Sequence, residues 1–107
     1  MTTLWPAPLA KGAISGVLPV PGSKSVTNRA LVLAVQSPDE SLLESPLHSR
    51  DTELMATALT ALGFSITNEA NGDWRVQKST RVVDEVRIDV GNAGTVMRFL
   101  PPVAVLV

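Results

Sequence analysis

Lys24, Ser25, Asn28 and Arg29 fall within six consecutive positions, just after Pro21-Gly22-Ser23, in the run LPVPGSKSVTNRALVLAV from Leu18 to Val35. Their chemistry is complementary. Lysine carries a compact point charge with three donors, arginine a planar fork of five, and serine a hydroxyl. The rest of the run reads as an apolar helix, so these groups stand at its head. Cations there are disfavoured by the helix macrodipole, by about 0.3–1 kcal/mol each. A bound anion would offset that cost, because the free backbone N–H groups and the cations would share its charge.

The helical wheel sharpens this reading. With Lys24 at the origin and about 100° per residue, Asn28, Ser25 and Arg29 fall on one arc. Val26, Ala30, Leu31, Leu33 and Ala34 are assigned to the opposite, buried arc, and Val32 and Val35 return to the polar side further down. The polar arc therefore ends after two turns, whereas a merely solvated face would continue. The plainer alternative, a surface helix start with Ser23 as cap and both cations in water, stays open on the pattern alone. A nucleotide P-loop is excluded, because Ser23 separates Gly22 from Lys24 and position 17 is valine.

A second group, Gly91-Asn92-Ala93-Gly94-Thr95 with Arg98 behind it, repeats the arrangement. The glycines permit close backbone approach, asparagine tolerates unusual dihedrals, and Thr95 and Arg98 sit on a helix start. Taken singly this is a common structural turn. Two such turns feeding helices favour a shared cleft. The other polar residues carry less. His48 reads as a surface residue, and Asp51 and Glu53 as acids suited to a helix N-terminus. Trp5 and Trp74 read as packing or rim residues. No Ser-His-Asp spacing or metal cluster is visible, and no cofactor is called for.

These groups must be positioned by a regular framework. Ala13–Val20 reads as a strand. Ser23 to Val35 or Gln36 reads as a helix, Ser37-Pro38-Asp39 as a turn, and Ser41–Glu44 as a short extended segment. Ser49–Leu62 reads as a helix capped by Ser49, with Leu54, Met55, Ala58, Leu59, Ala61 and Leu62 on its apolar arc and Gly63 ending it. Phe64–Asn68 and Trp74–Lys78 read as a hairpin around Asn71-Gly72. Thr80–Glu85 connects to a strand at Val86–Val90, and a last helix starts near Thr95, kinked or divided at Pro101-Pro102. The order β-α-β-α-β-β restarts as β-α, with 69 residues from Gly22 to Gly91. That spacing suits a larger fold built from copies of one βαβαββ unit.

The 107 residues carry a net charge of −1 and 18% charged side chains, which argues against a general nucleic-acid binder. There is no cysteine, so neither a disulfide framework nor a thiolate metal site is possible. Neither a signal peptide nor a membrane span is recognisable, and the cytoplasm is the expected location. The run MRFLPPVAVLV is apolar to its last residue. It reads as a helix to be buried in a longer chain, the alternative being a docked terminal helix of a complete small domain.

PGSKSVTNRALVLA, SRDTELMATALTALG and GNAGTVMRFL, in this order, resemble the N-terminal part of the 5-enolpyruvylshikimate-3-phosphate synthase family, over about Val20 to Leu106. The resemblance implies an α/β (α+β) enolpyruvyl transferase fold, an inverted α/β barrel of βαβαββ units. Here the first unit and part of the second would be present. Residues 1–20 would pack with the other lobe and residues 21–107 would form a partial lobe. It implies transfer of the enolpyruvyl group of phosphoenolpyruvate to the 5-hydroxyl of shikimate 3-phosphate, without metal, in a monomer that binds neither nucleic acid nor membrane. By the same resemblance Lys24, Ser25 and Arg29 contact shikimate 3-phosphate. Lys24 also reaches phosphoenolpyruvate and is catalytic, Asn92 and Gly94 line the phosphoenolpyruvate pocket, and Thr95 and Arg98 support that helix start. Phe99 departs from the family pattern, where many members have proline, and this leaves sensitivity to glyphosate open. The sister family acting on UDP-N-acetylglucosamine has a Lys-Asn pair where this chain has Lys24-Ser25. A non-catalytic anion-binding module is the alternative of a different class.

Overall fold

The computed structural model describes residues 2–78 and 83–107. In chain order its elements are α1 (Lys24–Ala34), β1 (Ser41–Leu43), α2 (Arg50–Ala61), β2 (Ser65–Asn68), β3 (Trp74–Gln77) and α3 (Gly94–Val105). The strands form one antiparallel sheet in the order β1-β3-β2. Leu43 pairs with Trp74 and Ser41 with Val76 on one side of β3, and Asn68 with Trp74 and Ser65 with Gln77 on the other. The architecture is thus a small α+β assembly, with three helices packed beside a three-stranded sheet.

Local chemistry explains the element ends. The Ser49 side chain accepts from the Thr52 backbone N–H while the Thr52 hydroxyl accepts from the Ser49 N–H, a reciprocal cap at the head of α2. Asp51 and Glu53 occupy its first turn. Gly63, at φ 101°, ends the helix in a region that L-residues rarely enter. The β2–β3 turn forms at Asn71-Gly72, closed by Gly72 N–H to the Glu69 carbonyl. Alternation along β3 then turns Trp74 and Val76 inward, while Arg75 and Gln77 stay on the wetter face.

The core joins Leu31 and Val35 of the first helix, Met55, Ala58 and Leu59 of the second, Trp74 and Val76 of the sheet, and Val96, Leu100 and Val103 of the third helix. Each large side chain among them contributes on the order of 1.5–3 kcal/mol on burial. Of the two tryptophans, Trp74 is 2% exposed and belongs to this core, whereas Trp5 is 78% exposed.

Three expectations are corrected, and one, that for Pro101-Pro102, is narrowed. Ala13–Val20 is extended but pairs with no strand, and the whole segment from residue 2 to 20 is exposed. Val86–Val90 is likewise unpaired. Strand hydrogen bonds are made only to a neighbour, and among the described residues neither segment meets a sheet edge. The exposed arm also explains a radius of gyration of 19.0 Å, against about 13 Å for a compact chain of this length. Third, Pro101 and Pro102 lie inside α3 and do not divide it. Without their N–H groups, the carbonyls one turn earlier lose their helical donors. Fourth, α1 buries Thr27, Asn28, Leu31 and Ala34, while Val26 and Leu33 are 63% and 69% exposed. The helix is rotated from the expected orientation so that Asn28 joins its buried face, while Lys24 and Arg29 stay exposed. Part of the Thr80–Glu85 connection lies outside the described residues. No helix of the described residues is long and apolar enough to cross a membrane.

Candidate anion-binding site at the helix heads

The inward rotation of α1 brings its first turn against the first turns of the other two helices. The Asn28 amide, 0% exposed, donates to the Thr95 hydroxyl at 2.7 Å and so ties α1 to α3. The Thr27 hydroxyl accepts from the Leu47 N–H at 3.0 Å, and the Thr52 hydroxyl donates to the Leu47 carbonyl at 2.7 Å. Leu47 thereby links α1 to the head of α2. From the other side, Arg50 donates to the Gly91 carbonyl at 3.1 Å, anchoring the turn before α3 to α2.

These ties enclose an open cleft of about 490 Å³. Lys24, Ser25 and Arg29 line it from α1, and Asp51 from α2. Gly94, Thr95, Arg98 and Phe99 line it from α3. Its volume lies within the range of small-ligand pockets. Three cations face a single carboxylate. The Lys24 ammonium meets Asp51 Oδ2 at 2.8 Å, half exposed on the lysine side. Arg29 donates from Nη1 to the Ser25 carbonyl at 3.1 Å, and its guanidinium carbon lies 5.4 Å from the centre of the Phe99 ring. Arg98 forms no ion pair among the described residues.

The backbone adds further donors. Ser23 caps α1 with a long 3.4 Å contact to the Val26 N–H. Ala93 occupies the cap position of α3 and offers no side-chain acceptor, so the first N–H groups of that helix have no cap. Gly91 and Asn92 take positive φ values of 51° and 63° to make the turn. A side chain at Gly91 would collide with Leu54, 2.8 Å from the would-be Cβ. Gly94 differs. A Cβ there would meet nothing within 4 Å, so the chain's own packing does not require glycine at the cleft wall.

Six of the residues singled out in the sequence, Lys24, Ser25, Arg29, Gly94, Thr95 and Arg98, come together in this cleft. Asn92 does not line it; it stands exposed in the preceding turn. Sequence reasoning missed Asp51 and left Asn28 and Phe99 without their partners. Asp51 was accounted for by the helix dipole, yet it pairs with Lys24 across 27 residues. Asn28 was placed beside Lys24 without a role; an asparagine one turn above Leu31 and Val35 on an inward face was the available signal. Phe99 departs from the family pattern at a position that the resemblance puts behind the phosphoenolpyruvate pocket; it stands one turn after Thr95 and lines the cleft. A second cleft, about 240 Å³ near Val35, Gln36, Phe64, Lys78 and Leu106, gathers one cation. Among the described residues no group of three His, Asp or Glu side chains could hold a metal ion. Chemically, the helix-head cleft suits an anion with more than one negative oxygen.

The family model for EPSP synthase (3-phosphoshikimate 1-carboxyvinyltransferase) matches residues 9–107. A protein of Kocuria rhizophila named 3-phosphoshikimate 1-carboxyvinyltransferase is 51% identical over 112 residues, covering 96% of this chain and 25% of that relative. The chain therefore spans about a quarter of the length of the curated relative it matches.

Proposed function

The chain belongs to the EPSP synthase family, and from that premise we propose that it forms the opening part of a cytoplasmic enzyme that moves the enolpyruvyl group of phosphoenolpyruvate onto the 5-hydroxyl of shikimate 3-phosphate and releases phosphate. The observation that carries this reading is the convergence of Lys24, Arg29 and Arg98 with an uncapped helix head in one cleft. Both substrates are multiply charged anions, and such a cleft offers charge and fixed N–H donors together.

In this reading Ser25 and Arg29 hold shikimate 3-phosphate. The two motifs supply different donors: a planar fork can meet two phosphate oxygens at once, and a hydroxyl a third. Lys24 lies between the two substrates and exchanges its Asp51 partner for ligand oxygens. The reaction proceeds by addition and then elimination through a tetrahedral intermediate. A positioned ammonium stabilises the charge that develops on the way. Gly94 provides the side-chain-free wall against which phosphoenolpyruvate lies, which gives a reason for glycine that packing does not. Asn92 acts through the turn that presents Gly94, and Thr95 and Arg98 hold that helix start.

The finer architecture follows from the same premise. The unpaired segments at 13–20 and 86–90 would find sheet partners in further βαβαββ units of an inverted α/β barrel, with residues 1–20 joining the other lobe. The exposed Val26 and Leu33 would be covered there.

A chimaera tests the proposal: this chain replaces the matching quarter of the Kocuria rhizophila relative, and phosphate release is followed with both substrates present. The expected result is turnover by the chimaera and none by the 107-residue chain alone. A folded chimaera without turnover, beside an active relative, would overturn the assignment. Turnover by the isolated chain would overturn the view that it is one part of the catalytic unit.

A further inference from the structure

Phe99 sits where the cleft meets the core. Its ring is partly buried against the hydrophobic cluster, and it also forms cleft wall. The Arg29 guanidinium lies over that ring at 5.4 Å. One residue earlier on α1, Asn28 bonds Thr95, one turn before Phe99 on α3. Adjacent residues of one helix thus meet residues one turn apart on the other, and the two contacts hold the helices in a single phase.

How Arg29 is held matters for what it can still do. A carboxylate partner would occupy its N–H donors, as Asp51 occupies the Lys24 ammonium. An aromatic face attracts the cation through its π electrons and takes none of the donors in the guanidinium plane. Of the five N–H donors, one goes to the Ser25 carbonyl. Among the described residues the others meet no acceptor and stay available to an anion.

We propose that Phe99 is a positioning residue for Arg29. Its ring fixes the guanidinium at the cleft wall without neutralising it or consuming its donors, so that binding an anionic substrate costs little reordering of that side chain. This rests on the reading of the cleft as the shikimate 3-phosphate site. A cation–π contact at an exposed site is worth about 0.5–1 kcal/mol, which converts to about two- to five-fold in affinity.

The test uses the chimaera described above. Phe99→Leu keeps an apolar side chain of similar reach but removes the π face. The KM for shikimate 3-phosphate is expected to rise about two- to five-fold, with kcat and the KM for phosphoenolpyruvate little changed. Phe99→Tyr should restore the original KM. In an Arg29→Ala background the Leu substitution should have no further effect, since a cycle isolates the pairwise contribution. A kcat loss of the same size, failure of Tyr to restore, or an undiminished effect without Arg29 would each overturn the proposal. A readout independent of turnover is the NMR resonance of the Arg29 Nε–H in the 107-residue chain, titrated with inorganic phosphate. The wild-type chain should show a ring-current shift that is lost in Phe99→Leu, with phosphate binding weakened by a similar factor. An inactive chimaera with these NMR results would defeat the catalytic reading and leave the role of Phe99 standing. Absence of the ring-current shift would defeat the role of Phe99 itself.

Discussion

The wet face of the sheet and the cleft at the helix heads are built from the same kinds of side chain and treat charge in opposite ways. On the sheet, Arg75 is clamped between Glu40 and Glu69, and Gln77 donates to Glu40 as well. Beside it, the His48 ring stands edge-on to Trp74 and meets Glu53 through Nδ1 and the Gly72 carbonyl through Nε2. Each charge there has its partner within the chain. In the cleft, Lys24, Arg29 and Arg98 stand with a single carboxylate, Asp51, which pairs with Lys24, and an adjacent helix head has no side-chain cap. Self-satisfied charge serves the fold, and a surplus of donors confined to a concavity is what the proposed anion site rests on. Residue type alone does not separate the two cases; the partner count does.

The largest expected effect lies in the cleft. Lys24→Ala in the chimaera should lower kcat by at least about 100-fold, the scale expected for a charge acting on the transition state. Steady-state kinetics with both substrates checks this, and a near-normal rate would remove Lys24 from the chemistry. Next comes Gly94→Ala. Because the added Cβ meets open space, the thermal midpoint should not fall. The KM for phosphoenolpyruvate should rise about ten-fold, the cost of one methyl group in a fitted pocket. A drop in stability without a change in KM would show that glycine is needed for packing after all.

On the sheet the expected effects are smaller and of another kind. Arg75→Gln should leave stability nearly unchanged, since solvent-exposed ion pairs are weak, and should leave turnover of the chimaera unchanged. Chemical denaturation and the same kinetic assay check both parts. A loss of turnover would erase the distinction between the two regions. The smallest effect is a pH dependence. The hydrogen bond to the Gly72 carbonyl, and then that to Glu53, hold the His48 pKa above its ordinary value of 6.5. A raised folded value means that the protonated ring favours the folded chain. That contribution is complete below about 6.5 and is lost as pH rises through the higher folded value. The melting temperature should therefore decline slightly from pH 6 to pH 8.5, and His48→Gln should flatten that slope. A slope unchanged in the variant would place the titration elsewhere.

Much of the framework was legible because its causes are local. The cap at Ser49, the stop at Gly63 and the Asn71-Gly72 turn each depend on a few neighbouring residues and lie where the sequence puts them. The strands expected at 13–20 and 86–90 did not form, since a strand is completed by hydrogen bonds to another segment and β propensity says nothing about who supplies them. The orientation of α1 failed for a related reason. The wheel locates an arc relative to itself, and Val26, Ala30 and Leu33 formed the more apolar arc. Asn28 could turn inward only because Thr95, 67 residues away, was there to receive its amide.

The two glycine-marked turns, the helix starts that follow them and the cations placed there were set by the sequence alone. Tertiary structure decided the rest: that the two turns share one cleft, that Asp51 meets Lys24, and that Phe99 lies under Arg29. Caps and turns are decided within a few residues of backbone. Partners across a cleft are decided by how whole helices rotate to bury their cores, and that rotation belongs to the assembled chain.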